Sequence, residues 1–181
     1  MTIRKATAGD VPQITQIYAH IHDRERQRLC HTGWLPGIYP VEATARAALA
    51  RDDLFVCESD GTILAAAILN QIPVDVYAGC PWRYAAVDSE VLVLHTLTVD
   101  PQAAGRGIGK AFVGFYERMA GACGCRVLRL DTNAKNTVAR GLYRSLGYRE
   151  AAIVPCVFHG IPGVELVLLE KEVPQALRTE G

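Results

Sequence analysis

The stretch HTLTVDPQAAGRGIGKAFVGFYE, residues 95 to 117, decides the fold. It passes from a β-branched strand sequence, through glycines on alternate positions between 105 and 109, into an amphipathic helix sequence. A helix that begins directly after a strand exposes unpaired backbone N–H groups and the positive end of its dipole. Glycine lets a ligand approach that backbone closely. With Arg106 and Lys110 adding positive charge, the stretch predicts a binding site for a diphosphate.

Two common phosphate-binding loops are excluded by spacing. A Walker loop needs four residues between its first glycine and its Gly-Lys pair, followed by Ser or Thr. Gly105 and Gly109 are separated by three residues, and Ala111 follows Lys110. The dinucleotide fingerprint G-x-G-x-x-G needs its last glycine where Lys110 stands. The loop therefore belongs to a different class.

Composition limits the classes of protein that remain. With 181 residues, half of them hydrophobic, the chain is expected to form one core and one domain, residues 1–181. Nineteen basic residues balance nineteen acidic ones, so no nucleic-acid or membrane partner is expected. No apolar run approaches the roughly 20 residues of a membrane span, and the N-terminus lacks the apolar core of a secretory signal. We therefore expect a cytoplasmic protein.

The six cysteines are scattered along the sequence. The pair in CGC, residues 123 to 125, is one residue short of CxxC, and no second pair completes a zinc site. Cysteines within apolar runs behave as small hydrophobic residues. We expect reduced thiols and no metal site.

The rest of the chain predicts an alternation of strands and helices. Asp10 is the expected N-cap of the first helix, with Gln13 completing a capping box. The periodicity predicts strands at 2–6, 91–99, 126–131, 148–158 and 164–171, a hairpin at 54–72, a turn at 159–163, and helices at 9–28, 41–53, 107–120 and 136–146.

Two motifs together carry a resemblance to a known family. The sequence VDPQAAGRGIGKAF, followed by NTVARGLYRSLGY, resembles the Gcn5-related N-acetyltransferase (GNAT) superfamily. The family loop Q/R-x-x-G-x-G/A falls on residues 104–109, with Ala104 where glutamine or arginine is usual. The second signature, N-x-x-A-x-x-L-Y-x-x-x-G-F/Y, falls on Asn136, Ala139, Leu142, Tyr143, Gly147 and Tyr148.

The resemblance implies an α/β fold whose central, mixed and mostly antiparallel sheet is splayed between strands 4 and 5 and flanked by helices. It implies acetyl-CoA as cosubstrate, with its pantetheine arm in the gap between those strands and no metal. A backbone N–H there, that of Leu97, would polarise the thioester carbonyl. The cofactor-binding residues that it implies are Leu97, Thr98, Val99, Ala104, Gly105, Arg106, Gly107, Ile108, Gly109, Lys110, Asn136, Ala139 and Tyr143.

The reaction implied is direct attack of an amine on the acetyl thioester. The attacking amine must lose a proton, and the departing thiolate must gain one. By resemblance Tyr143 is the general acid, and the alternative is a tyrosine that only packs in the core. Asn136 caps its helix, binds the coenzyme, or does both.

The sequence is compatible with three alternatives for the general base. His95 lies in the strand before the loop and shares the parity of Leu97 and Val99 if no bulge intervenes. A bulge would turn its side chain away, and a lone histidine in an apolar strand is often a hydrogen-bonded core residue. Glu90, at the entrance of the strand, is a second candidate base. A chain of water molecules with no dedicated base is the third option.

Aromatic residues gather in two irregular segments and predict the acceptor site. By resemblance they line a cleft for a small-molecule or peptide amine, and aromatic faces can hold a cation or an apolar group. They could equally pin long loops to the core or meet a second subunit in a homodimer. The candidate substrate-binding residues are Trp34, Tyr39, Tyr77 and Trp82.

The leading interpretation is an active N-acetyltransferase. One alternative is a non-catalytic acyl-CoA-binding module that acts as a sensor or partner domain. The complete loop and Tyr143 argue against it, because a decayed enzyme need not keep both. The other alternative is transfer of a different acyl group, since the loop recognises the coenzyme and not its cargo.

Overall fold

The elements follow one another in the order that the sequence predicts. The computed structural model describes residues 1–178. Its helices are α1 (Val11–Arg26), α2 (Glu42–Ala50), α3 (Ile108–Ala122) and α4 (Thr137–Ser145). Its strands are β1 (Thr2–Lys5), β2 (Leu54–Ser59), β3 (Thr62–Asn70), β4 (Val91–Val99), β5 (Val127–Asn133), β6 (Arg149–Phe158) and β7 (Ile161–Glu172).

The strands form a seven-stranded mixed sheet in the order β1-β2-β3-β4-β5-β7-β6. Neighbours are antiparallel except β4 and β5, which run parallel. That pair is joined only from Val91 opposite Val127 to Leu94 opposite Leu130, and beyond this point the strands diverge. The predicted fold class, with its sheet splayed between strands 4 and 5, is confirmed.

Apolar side chains cover both faces of the sheet. On one face α3 and α4 pack over β4, β5 and β7, with Phe112 and Tyr116 fully buried. On the other face α1 and α2 cover β2 and β3, with Ile14 and Ile17 at the centre. The irregular segment 73–90 continues that second layer over β4, β5 and β7. These layers leave the diverging ends of β4 and β5 at the centre of the molecule.

Tyr116 of α3 holds β4 and β5 together just below the point of divergence. Its hydroxyl lies 2.6 Å from the carbonyl oxygen of Leu92 and 2.9 Å from that of Arg129, so one O–H is shared between two strands. Both distances are those of normal hydrogen bonds. The bond from the helix fixes the spacing at which the gap begins.

The predicted capping box at the start of the first helix is wrong. Asp10 occupies the N-cap position of α1, but its carboxylate accepts from the Thr7 backbone N–H at 2.7 Å and pairs with Arg4 at 2.8 Å. Gln13 instead accepts from the Ile63 backbone N–H at 2.9 Å. Charged and backbone partners from outside the helix therefore take both side chains.

The turn before the last strand is shorter than predicted. β7 begins at Ile161, which pairs with Phe158, so two residues rather than five form the turn. Both have positive φ, 49° at His159 and 82° at Gly160. That backbone suits the tight hairpins that follow strand twist, and it places His159 at the tip of the β6–β7 hairpin.

Candidate functional site

A cavity of about 1140 Å³ occupies the gap where β4 and β5 diverge. We call its two parts the loop side and the aromatic side. The loop side is lined by Val99, Ala104, Gly109, Asn136, Ala139, Leu142 and Tyr143. The aromatic side is lined by Trp34, Tyr39, His95, Asp131, Phe158 and His159.

The glycine loop has the backbone that only glycine adopts freely. Gly105 has φ +79° and Gly107, the N-cap of α3, has φ +73°. A Cβ at either would meet no atom within 4 Å, so the backbone faces open space. Gly109 differs: a Cβ there would lie 3.3 Å from Leu142, which indicates close packing against α4. The first two glycines leave room for a ligand, and the third lets α3 approach α4.

The start of α3 carries unused donors and positive charge. No side chain caps the helix, whose first N–H groups have no acceptor within it. Arg106 and Lys110 are exposed, and neither forms an ion pair within residues 1–178. Ile108, by contrast, buries its side chain in the core. The loop can therefore bind an anion through backbone and charge.

A bulge in β4 separates His95 from the residues that follow it. Thr96 has φ +50°, and the pairing with β3 shifts between Ala66 and Ile68. Leu97 and Val99 consequently pack on the α3 face, whereas the Thr98 hydroxyl donates to the Ala66 carbonyl at 3.1 Å. The shared parity that was conditional on an unbroken strand does not hold.

His95 faces the aromatic side and bonds to a neighbouring strand. Its Nε2 lies 3.0 Å from Oδ1 of Asn70, which can only accept, so Nε2 donates. The Asn70 amide donates in turn to Asp53 at 2.8 Å. Burial lowers the pKa of His95 to about 4. His95 is therefore neutral at pH 7 and held by a hydrogen-bonded chain.

Tyr143 lies on α4 and lines the loop side of the cavity. Its ring is buried, with an edge-on contact to Tyr148 at 5.7 Å between centroids. Within the described residues its hydroxyl has no hydrogen-bond partner. Burial raises its pKa well above the ordinary value, so it stays protonated. Asn136 caps α4 by accepting from the Ala139 N–H at 3.1 Å.

The aromatic side is built from segments far apart in sequence. Tyr39 stacks on His159 with centroids 3.7 Å apart and planes 8° apart. Trp34 and Phe158 meet the Tyr39 ring edge-on at 5.8 and 5.4 Å. The Tyr39 hydroxyl also bonds to that of Thr96 at the bulge. Trp34 and Tyr39 thus line the cavity, as the predicted acceptor site requires.

Tyr77 and Trp82 lie behind the cavity wall and not in its lining. The Tyr77 hydroxyl donates to the Asp131 carboxylate, which lines the cavity, at 2.8 Å. Trp82 packs edge-on against Tyr77 and under the Arg129 guanidinium, 4.4 Å from its ring centroid. Its contacts pin segment 73–90 to the sheet.

Glu90 lies at the far end of β4 from the cavity. Its carboxylate pairs with Arg126 at 2.8 Å and accepts from the Val87 N–H at 3.1 Å. These bonds lower the pKa of Glu90, with the pair to Arg126 as the larger cause. A carboxylate that is already paired in this way is a poor proton acceptor.

The sequence reasoning did not identify Asp131 or His159 as site residues. Asp131 is the first residue of β5 beyond the last pair with β4, Leu94 and Leu130. A single acid at the end of the apolar run VLRL was the available signal. His159 carried none, because only the hairpin geometry brings it to Tyr39.

The part of the chain that the structure describes has neither a metal-binding cluster nor a membrane-spanning helix. Residues 1–178 contain no cluster of three or more His, Cys, Asp or Glu side chains able to hold a metal ion. None of their helices has the length and apolar character needed to cross a membrane.

Comparison with known proteins identifies the family. The model of the acetyltransferase (GNAT) family matches residues 15–148. An uncharacterized N-acetyltransferase of Methanocaldococcus jannaschii is 33% identical over 104 residues, covering 57% of this chain and 42% of that protein. An aminoglycoside N(6')-acetyltransferase type 1 of Salmonella typhimurium is 28% identical over 96 residues, covering 53% and 61%. The match thus spans less than two thirds of either relative.

Solved structures share the fold. An N-acetyltransferase from Staphylococcus aureus Mu50 aligns with a TM-score of 0.69 and 21% identity, covering 95% of this chain and 98% of that one. The Salmonella typhimurium protein yncA, solved with its cofactor acetyl-CoA, aligns with a TM-score of 0.68 and 20% identity, covering 96% and 94%. Fold, motifs and family model agree: the chain belongs to the acetyltransferase (GNAT) family.

Proposed function

We propose that this protein is an acetyl-CoA-dependent N-acetyltransferase that acts on a primary amine by direct attack on the thioester. The observation that carries the proposal is the cavity between the diverging strands, with an uncapped glycine-rich helix start at one end and the Tyr143 hydroxyl in its wall. The related fold solved with acetyl-CoA supports the choice of coenzyme.

The loop side fits the diphosphate of coenzyme A. Gly105 and Gly107 are exposed, and open space surrounds the position of a Cβ at either, so a ligand can approach the backbone of the loop there. Arg106 and Lys110 can neutralise the phosphate charge, because neither is committed to an ion pair in the described chain. The backbone of Leu97, Thr98 and Val99, which has no strand partner on its β5 side, can pair with the pantetheine amides.

Two groups would act on the reacting bond. The backbone N–H of Leu97 would stabilise negative charge on the carbonyl oxygen, a contact whose loss typically costs about 3 kcal/mol of barrier. Tyr143 would give its proton to the departing thiolate. Burial keeps that proton on Tyr143 before the reaction, and the same burial raises the pKa of the departing thiol, which makes the thiolate a better proton acceptor.

The first experiment measures free thiol released from acetyl-CoA with a broad panel of amines. Tyr143→Phe should lower kcat about 10²-fold, as loss of a general acid does, while leaving coenzyme affinity unchanged. Binding of the coenzyme without turnover of any amine would favour the non-catalytic module. Faster turnover of another acyl-CoA would favour the alternative acyl group.

The second experiment tests the loop with a matched pair of variants. Gly107 and Gly124 both have positive φ and open space around the missing Cβ, but they lie at opposite ends of α3. Alanine at either costs about 1–2 kcal/mol of stability from backbone strain. Gly107→Ala alone should weaken coenzyme binding by calorimetry, by about tenfold or 1.4 kcal/mol. Equal affinity of the two variants would overturn the assignment of the diphosphate site.

The cytoplasmic location, the single domain and the homodimer stay predictions. Size-exclusion chromatography with light scattering tests the last of them.

A further inference from the structure

Asp131 stands where a reacting group would lie in the cavity. It is the first residue of β5 after the pairing with β4 ends, so it lies at the base of the gap. Protein surrounds it on most sides, yet it keeps some accessible surface, and it belongs to the cavity lining. A ligand in the cavity can therefore reach its carboxylate.

That carboxylate has no positive partner in the described chain. It accepts a hydrogen bond from the Tyr77 hydroxyl at 2.8 Å. No Lys, Arg or His nitrogen of residues 1–178 lies within 4.0 Å of it. An ionised carboxylate away from bulk water is costly unless a cation pairs with it. The site is thus complementary to a cation from outside.

The titratable groups that face Asp131 from other elements are all neutral near pH 7. They are Tyr77 of segment 73–90, Tyr39 of the loop before α2, Tyr143 of α4 and Cys156 of β6. Burial raises the pKa of each, and the nearby carboxylate raises it further. None of them can compensate the charge of Asp131.

The remaining charged or basic groups of the cavity lie further from this carboxylate. Arg51 is bound to Asp53 at 2.9 Å. Arg24 lines the cavity from the exposed end of α1, and His95 and His159 are kept neutral by burial, which lowers the pKa of both. Asp75 and His31 also belong to the lining, and both are exposed, so Asp131 is the carboxylate at the centre of the aromatic side.

The walls and mouth of the aromatic side are apolar. Trp34, Tyr39 and Phe158 supply aromatic surface within it. Large apolar side chains stay exposed around the mouth, namely Leu29, Ile38 and Ile72, with exposed fractions of 55%, 47% and 54%. Exposed apolar clusters at a cavity mark a surface that a ligand covers.

We propose that Asp131 is a catalytic residue that binds the ammonium group of a singly charged primary amine with an apolar body, and then accepts its proton. The inference rests on the proposed function and names its acceptor class and its base. Tyr77 is a positioning residue, because its hydroxyl orients the carboxylate without reaching the cavity.

The protons balance over the reaction. The ammonium gives one proton to Asp131, and the neutral amine forms a C–N bond to the acetyl carbon as the C–S bond breaks. Tyr143 gives its proton to the thiolate and regains one from the nitrogen. Asp131 releases its proton to solvent through the cavity, so one proton is produced for each amide formed.

Burial in the cavity narrows the difference in pKa between the ammonium group and the Asp131 carboxyl group. Burial raises the pKa of Asp131 to about 6, although the Tyr77 bond opposes the rise. Burial in the same cavity lowers the pKa of an ammonium from its ordinary value of about 10, while pairing with the ionised carboxylate opposes that shift. The rate should therefore rise with pH through about 6, where Asp131 loses its proton, and then level off.

The acceptor class is tested with matched amines and acetyl-CoA. We expect 2-phenylethylamine and tryptamine to have kcat/KM at least about tenfold above spermidine or kanamycin A, because the further ammonium groups of a polycation would meet only the exposed Asp75 besides Asp131 in the lining. L-phenylalanine adds a carboxylate to the first amine and should be similarly poor. Preference for a polycation or for the amino acid, or no turnover of any singly charged amine, would overturn the acceptor class.

The role of Asp131 is tested in the full chain with Asp131→Asn. Its kcat/KM for 2-phenylethylamine should fall by 10²-fold or more, and the rise near pH 6 should disappear. Coenzyme affinity should be retained and Tm should not fall, which separates this result from misfolding or from failure of the proposed function. Asp88→Asn removes an exposed carboxylate from segment 73–90 outside the cavity and should stay within about twofold. Equal activity of the two variants, or an unchanged pH profile in Asp131→Asn, would overturn the assignment.

Discussion

Two acidic side chains lie on neighbouring strands and face the same irregular segment, yet their surroundings differ. Glu170 of β7 is fully buried, pairs with Arg149 at 2.7 Å, and accepts from the backbone N–H groups of Arg83 and Tyr84 at 2.8 and 3.2 Å. Asp131 of β5 has one hydroxyl partner and no cation within the described residues. The protein provides Glu170 with a cation and two N–H donors. It provides Asp131 with a hydroxyl donor and, within residues 1–178, no cation.

The difference separates structural charge from functional charge. Around Glu170 the chain provides a cation and two donors, which fastens segment 73–90 to the sheet. Around Asp131 the chain provides open volume. Buried carboxylates that the protein does not neutralise are costly and recur at functional sites.

The largest effect is expected from removing the satisfied carboxylate. Glu170→Ala removes three hydrogen bonds to a buried carboxylate, from Arg149 and from the N–H groups of Arg83 and Tyr84, which should cost about 3–5 kcal/mol of unfolding free energy in urea melts. Glu165→Ala, an exposed position on the same strand, should cost less than about 0.5 kcal/mol. Similar costs for Glu170→Ala and Glu165→Ala would show that the partners of Glu170 do not stabilise the fold. The contrast between Glu170 and Asp131 would then disappear.

Removing the unsatisfied carboxylate should have the opposite sign. The folded pKa of Asp131, about 6, lies above the ordinary value of 3.8 for an aspartate, so ionisation destabilises the native state. The stability lost as pH rises from about 4 to 6 amounts to about 3 kcal/mol at most. Asp131→Asn should therefore be more stable than the wild type at pH 7, and the difference should vanish below pH 4. Reduced stability at pH 7 would show that Asp131 also serves the fold.

A smaller change is expected from the positioning residue. Tyr77→Phe removes the hydrogen bond that lowers the pKa of Asp131, so the rise of kcat/KM should move to higher pH. A hydrogen bond to a charged group is worth about 1.5–3 kcal/mol, which corresponds to about one to two pH units. A uniform loss of activity without a shift would indicate a packing defect instead.

The smallest change is expected from the histidine that the sequence put forward as a base. With its pKa lowered to about 4, His95 does not titrate near pH 6. His95→Gln should retain the rise of kcat/KM near pH 6, with activity within about tenfold of the wild type. Loss of that rise would transfer the role of base from Asp131 to His95.

The residues of the loop side could be proposed from the sequence because they are neighbours along the chain. Alternate glycines before a helix, and Asn136 and Tyr143 on one later helix, are readable as local patterns. The order of the elements and the splayed sheet followed from the same motifs. A binding site made of backbone N–H groups requires only glycines and a helix start, and both can be recognised in the sequence.

The aromatic side depends on contacts that local patterns do not encode. Tyr77 and Asp131 are 54 positions apart, and the stacking of Tyr39 on His159 depends on a two-residue hairpin that was predicted as a longer turn. The bulge at Thr96 reversed the expected parity of His95, and a β-branched residue at positive φ gives no warning of it. Tertiary packing decided these positions.

Tyr116 connects α3 to β4 and β5 close to the point at which these two central strands diverge. The helix that presents its N-terminus to the cavity is also the one whose phenol ties Leu92 to Arg129 across the sheet. The leading turn of α3 and the point at which β4 and β5 part are therefore held by one helix of 15 residues, through a side chain that lies outside the cavity lining.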